Sequence, residues 1–127
     1  METIKKIAIY MDHFTANIIE YTNSATTIKT IKSEFNNFEK EKILQKGEIH
    51  SHNKEQGMQN EFYIKLRDEL LNYNNVLLFG ATNAKTELSN ILKAGDKFIN
   101  IEIIIKNTEK LTANQQIAFV NDCFYIN

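Results

Sequence analysis

The stretch Val76-Leu-Leu-Phe-Gly-Ala-Thr-Asn-Ala-Lys-Thr-Glu-Leu-Ser-Asn-Ile-Leu92 constrains the fold more than any other part of the chain. It joins a buried-strand pattern to a helix with readable ends. Val76 to Phe79 form a continuous apolar run, Gly80-Ala81 leave room for a sharp turn, and Thr82 or Asn83 can cap the free N–H groups of the following helix. Ala84, Leu88, Ile91 and Leu92 then share one helical face. This is one βα unit, and a βα unit implies a sheet with helices packed on it.

The chain has 127 residues, enough for a single domain that buries roughly two thirds of its unfolded surface. Residues are 43% hydrophobic and 24% charged, with no apolar run long enough for a membrane helix. The opening Met-Glu-Thr-Ile-Lys-Lys-Ile lacks the apolar core of a secretory signal, and a cytoplasmic location is expected. The single Cys123 has no second cysteine for a disulfide or zinc site; between Asp122 and Phe124-Tyr125 it reads as a packing residue. Net charge is −1, so any contact with nucleic acid must be local.

Ile4, Ile7, Ala8, Ile9 and Tyr10 predict a first strand and Ala16 to Tyr21 a second, linked by Met11-Asp-His-Phe-Thr15 in a hairpin. After the turn residues Thr22-Asn-Ser24, β-branched residues from Ala25 to Ile31 predict a third, with Ile28 facing away from Thr27 and Lys29. From Asn36 to Gln59 the pattern turns charged and irregular, with four Lys against four Glu. A long charged loop at about 36–56 is expected there, with a short helical piece near Phe38 to Leu44. Phe62, Leu66, Leu70 and Tyr73 place an apolar stripe on a helix from about Gly57 to Tyr73. Ile99 to Ile105 predict another strand, and Thr112 with Gln115 has capping-box spacing at the start of a final helix.

The order is therefore βββ-α-β-α-β-α. Three antiparallel strands followed by alternating helices and strands give an α/β fold with a mixed sheet, the later strands parallel through right-handed crossovers. This is the ribonuclease H-like element order in a single domain spanning 1–127.

A nuclease of that fold needs several carboxylates around two metal ions. Asp12 follows the first strand, but Asp68 and Glu69 lie on the helix with the Phe62–Leu66–Leu70 stripe, and Val76 to Phe79 carries no acid. Asp12 reads as a solvated turn residue. His50 and His52 have metal-ligand character only if Glu48, Glu55 or His13 joins them, and read as loop residues. No phosphate-loop, dinucleotide or nucleophile-elbow motif is present, and no cofactor, metal or small-molecule substrate is expected. The helix start at Thr82, Asn83 and Lys85 is a candidate anion site, because free N–H groups, the helix dipole and a first-turn lysine all favour negative charge.

The strand, Gly-small turn and Lys-Thr-Glu-Leu helix of Val76–Ser89 resemble the middle domain of the archaeal and eukaryotic class 1 peptide-release factor and of its rescue relative Pelota. The similarity extends from about Ile49 to Phe119. In release factors the segment before the long helix bears Gly-Gly-Gln, which promotes peptidyl-tRNA hydrolysis. Here that segment reads His52-Asn-Lys-Glu-Gln-Gly-Met-Gln-Asn-Glu-Phe62, where His52, Lys54 and Phe62 fit the pattern but no Gly-Gly pair precedes a glutamine. The chain is thus similar to the non-hydrolytic, Pelota-like branch, with neither a decoding-site domain nor a partner-GTPase domain expected.

The resemblance implies a small ribosome- or tRNA-associated factor that acts by occupancy in hibernation, arrest or rescue and is not an enzyme. Its implied contacts with rRNA or tRNA are Lys42, Lys46, His50, His52, Lys54, Gln56 and Gln59. A different expectation is a protein-interaction module, in which an exposed edge of the three-stranded sheet pairs with itself, as a homodimer, or with a partner by strand addition. A metal-dependent nuclease is a third, needing a carboxylate cluster around Asp12 that the sequence does not visibly supply.

Overall fold

The computed structural model describes residues 5–33, 60–95, 98 and 100–126. Three strands open the chain: β1 (Lys6–Met11), β2 (Thr15–Tyr21) and β3 (Ala25–Lys32). Helix α1 covers residues 60–69, followed by β4 (Asn75–Gly80), α2 (Ala84–Ala94), β5 (Glu102–Asn107) and α3 (Ala113–Ile126). The strands form one five-stranded sheet in the order β3-β2-β1-β4-β5. The first three run antiparallel, and β4 is parallel to both β1 and β5. This is the expected α/β mixed sheet, in the βββ-α-β-α-β-α order.

Alternation along the strands sorts the core into two layers. Ile7, Ile9 and Met11 of β1 join Val76 and Leu78 of β4 on the face covered by α1 and α2. Ala8, Leu77 and Phe79 meet Val120 and Phe124 of α3 on the other. Strand β4 is buried on both faces, which explains its unbroken apolar run. Phe62 and Leu66 of α1 and Leu70 in the turn that follows it are fully enclosed, and burying each stabilises the fold by roughly 1.5–3 kcal/mol.

The β1–β2 hairpin depends on Asp12, whose Oδ1 accepts from the amides of Phe14 and Thr15 at 2.7 and 2.8 Å. Gly80 ends β4 at φ +151°, and a Cβ there would collide with the Met11 carbonyl. The glycine therefore does more than loosen a turn: it lets β4 close against β1. Helix α3 starts with a reciprocal capping box, in which Thr112 N donates to Gln115 Oε1 (2.9 Å) and Gln115 N to Thr112 Oγ1 (3.2 Å). A chain of polar contacts then fixes α3 across the sheet. Gln116 accepts from Asn17 Nδ2 at 2.8 Å, and Asn121 Oδ1 accepts from the Ala25 amide at 2.8 Å.

Several boundaries differ from the sequence reading. Helix α1 stops at residue 69, because the chain tightens into a turn with Tyr73 N donating to Leu70 O and Asn74 N to Lys5 O. Strand β5 begins at Glu102, since Ile101 N donates to Phe98 O and the Phe98 side chain turns into the core. On β3 a bulge opposite Ile18/Ile19 interrupts the alternation expected around Ile28, which is 47% exposed. Ile4, Ile99, the helical piece at 38–44, the charged loop at 36–56 and the expected first turn of α1 at 57–59 lie outside the described residues. Among the described residues, no helix is long and apolar enough to cross a membrane.

Candidate functional site

The carboxyl ends of parallel strands β1 and β4 open onto the start of α2, the place in an open α/β sheet where ligands commonly sit. After Gly80, the amides of Thr86 and Glu87 turn back onto Asn83 O (3.0 and 3.1 Å). Asn83 has helical φ and ψ and makes no side-chain cap; the Thr82 hydroxyl accepts instead from Ala84 N at 3.3 Å. Of the two expected capping residues, Thr82 supplies the side chain.

Lys85 departs from a surface lysine in its environment. Its side chain is almost wholly buried and its ammonium donates to the Thr82 carbonyl. Burial pushes its pKa down, because the charged form loses hydration. Ser89, one turn further along α2, is also buried, and its hydroxyl has no partner among the described residues.

Three side chains from separate elements converge beside this helix start. Tyr63 OH of α1 donates to Glu87 Oε1 at 2.6 Å, and His13 Nε2 of the β1–β2 turn lies 3.2 Å from Glu87 Oε2. The Tyr63 bond holds the Glu87 carboxyl below the ordinary glutamate value; burial opposes this, and His13 adds to it. Tyr63 is shifted upward, mainly by burial and then by the neighbouring carboxylate. Glu87 also sits in the first turn of α2, where the helix dipole favours its charge. The arrangement therefore presents an ionised carboxylate, a neutral phenol and an imidazole in one network.

Thr82, Asn83 and Lys85, the candidate anion-site residues, all lie at the start of α2, with the lysine turned inward onto the Thr82 carbonyl. Lys42, Lys46, His50, His52, Lys54, Gln56 and Gln59 lie outside the described residues. Asp12 stands in its turn with its carboxylate held by two amides. Among the described residues, no group of three or more His, Cys, Asp or Glu is placed to hold a metal ion. Cys123 is half-buried and burial raises its thiol pKa, which suits a packing residue. Tyr63 and Glu87 were not singled out in the sequence. Glu87 carries a signal in its first-turn position, but nothing local marks Tyr63 as its partner 24 residues away.

A concave region of about 620 Å³ lies at the other end of the sheet between β1, β2 and the end of α1, with Lys5, Glu20, Glu69 and Tyr73 on its walls. Tyr73 OH donates to Glu20 Oε2 at 2.6 Å, and Lys29 Nζ to Glu69 Oε1 at 2.6 Å. Two of its acids, Glu20 and Glu69, therefore already hold partners.

Comparison with solved structures places the architecture. Pelota of Archaeoglobus fulgidus matches 95% of the chain at a TM-score of 0.61 and 9% identity. Pelota of Thermoplasma acidophilum matches 92% at 0.60 and 14%. The chain has a Pelota/release-factor-like fold. A third match, an archaeal translation termination factor, covers 93% of the chain at a TM-score of 0.53 and 15% identity. The chain spans about a third of the length of these proteins, 32% of each Pelota chain and 34% of the termination factor. No protein-family model and no curated protein matches it.

Proposed function

We propose that this Pelota-like domain is a cytoplasmic translation factor that associates with the ribosome or a ribosome-bound tRNA and acts by occupancy, without hydrolysing peptidyl-tRNA. The observation that carries the reading is the fold match to two Pelota proteins and a translation termination factor over more than nine tenths of the chain. The non-hydrolytic part is supported by the sequence before α1, where Gly57-Met58-Gln59 stands in place of a Gly-Gly-Gln motif.

In this reading Lys42, Lys46, His50, His52, Lys54, Gln56 and Gln59 approach rRNA phosphate or a tRNA end. Lysine supplies charge attraction to phosphate, and histidine and glutamine supply donors and acceptors for base edges or the 2′-hydroxyl. Thr82, Asn83 and Lys85 at the start of α2 form a secondary anion contact, favoured by the positive end of the helix dipole. The factor needs no cofactor or metal, and it works in hibernation, arrest or rescue.

Binding of the purified protein to purified ribosomes tests this. Lys46→Glu with Lys54→Glu lies outside every apolar stripe, so the fold should persist while affinity falls and its dependence on salt weakens. Equal binding by wild type and the double variant would remove the loop from the interface, and no binding by wild type would remove the ribosome.

A further inference from the structure

Among the described residues, strand β5 is the outer strand of the sheet, and no further strand pairs with its far edge. Glu102 N donates to Asn74 O and Thr108 N to Gly80 O, so even-numbered amides of β5 face β4. In an extended strand the alternate groups point the other way, leaving the N–H and C=O of Ile103 and Ile105 directed outward. Ile105 is 36% exposed, and Ile103 and Ile104 are partly so.

Natural sheets usually blunt such an edge with a bulge, a proline or lysines. Strand β3, at the opposite side, has two of these devices: the bulge at Ile18/Ile19 and the lysines Lys29 and Lys32. Strand β5 has no proline, keeps an unbroken register with β4, and carries a single lysine, Lys106, at its end. Its sequence, Glu102-Ile103-Ile104-Ile105-Lys106, is also complementary to itself when reversed.

We propose that β5 pairs antiparallel with β5 of a second copy of this chain, with the two-fold axis at Ile104. In this register Ile103 opposes Ile105 of the second copy, and each such pair exchanges both ladder hydrogen bonds with the groups that point outward. Ile104 opposes its own copy, and Glu102 opposes Lys106, in the pairs whose side chains approach closest. Shifting the register by two residues in either direction keeps the backbone bonds but sets Glu102 or Lys106 against isoleucine, so charge selects one register of the three. A groove of about 510 Å³ between β5 and α3, lined by Leu77, Ile104, Lys106, Phe119 and Cys123, runs along the same edge. Pairing sets the two grooves side by side across the axis. The interface is independent of ribosome binding, and either can fail without the other.

Sedimentation velocity of the full chain over a wide concentration range tests the pairing, using two variants of exposed residues. Wild type should show a monomer–dimer equilibrium. Lys106→Glu and Glu102→Lys each set like charges opposite one another at both ends of the paired strands, and each should weaken the dimer roughly tenfold or more. An equimolar mixture of the two variants restores both opposite-charge pairs and should associate at least as well as wild type. Circular dichroism confirms that each variant is folded. A wild type that stays monomeric, a dimer indifferent to both variants, or a mixture no tighter than either variant alone would each overturn the proposal.

Discussion

The Tyr63 hydroxyl, on the helix that covers one face of the sheet, donates a 2.6 Å hydrogen bond to the Glu87 carboxylate in the first turn of the next helix. Tyr63 is 3% exposed while the Glu87 side chain is 48% exposed, so the buried partner depends on the bond more than the exposed one. Tyr63→Phe should cost about 1 kcal/mol, since the carboxylate it releases is rehydrated. Chemical denaturation of the variant against wild type measures it.

Acid stability should depend on Glu87. Its folded pKa lies below the ordinary 4.5, so its contribution is complete above that value and is lost as pH falls through the depressed folded one. Glu87→Gln should be less stable than wild type near neutrality and show a shallower loss below about pH 4.5. Midpoints from denaturation at a series of pH values decide it; parallel curves would mean that the carboxylate contributes nothing.

Alkaline stability should depend on the two tyrosines. Tyr73 is pushed up to about 12 by burial and by its bond to Glu20, and Tyr63 is raised further. A raised pKa stabilises the fold below the unfolded value of 10.0 and loses that contribution as pH climbs toward the folded one. The absorbance of tyrosinate in the folded protein should therefore lag behind that of the denatured chain between pH 10 and 12, and Tyr73→Phe should remove part of the lag.

Gly80→Ala should destabilise by roughly 2–3 kcal/mol, through a positive φ and a Cβ that meets the Met11 carbonyl. Thermal melting followed by circular dichroism measures this, and a change near zero would show that β1 and β4 can separate at that end. Ala81→Gly, one residue on, should have a much smaller effect.

Thr112→Ala removes one half of the capping box on α3 and should cost about 1 kcal/mol, with Thr112→Ser recovering most of it. Urea denaturation of the three proteins gives the comparison.

The parts of this fold that sequence made legible are those set by short-range pattern. The run Val76-Leu-Leu-Phe79 is apolar because β4 is covered on both faces, and Phe62, Leu66 and Leu70 recur at helical spacing because one side of α1 meets the sheet. Thr112 and Gln115 bond each other across three residues, so their spacing alone revealed them. What escaped the sequence depends on distant neighbours. Phe98 and Ile101 have strand-like side chains, yet a turn at that point delays β5 until Asn74 can receive the Glu102 amide. Lys85 has the composition of a surface residue and is buried because the Thr82 carbonyl receives its ammonium. Tyr63 finds Glu87, and Glu87 finds His13, only after α1, α2 and the β1–β2 turn have packed.

Association with the translation machinery is read out by sedimenting lysates of growing and starved cells that express the tagged protein through a sucrose gradient at low and moderate salt. The expected result is co-migration with ribosomal particles, enriched on starvation and weakened at the higher salt. Migration only as free protein or a small oligomer in both states would contradict it.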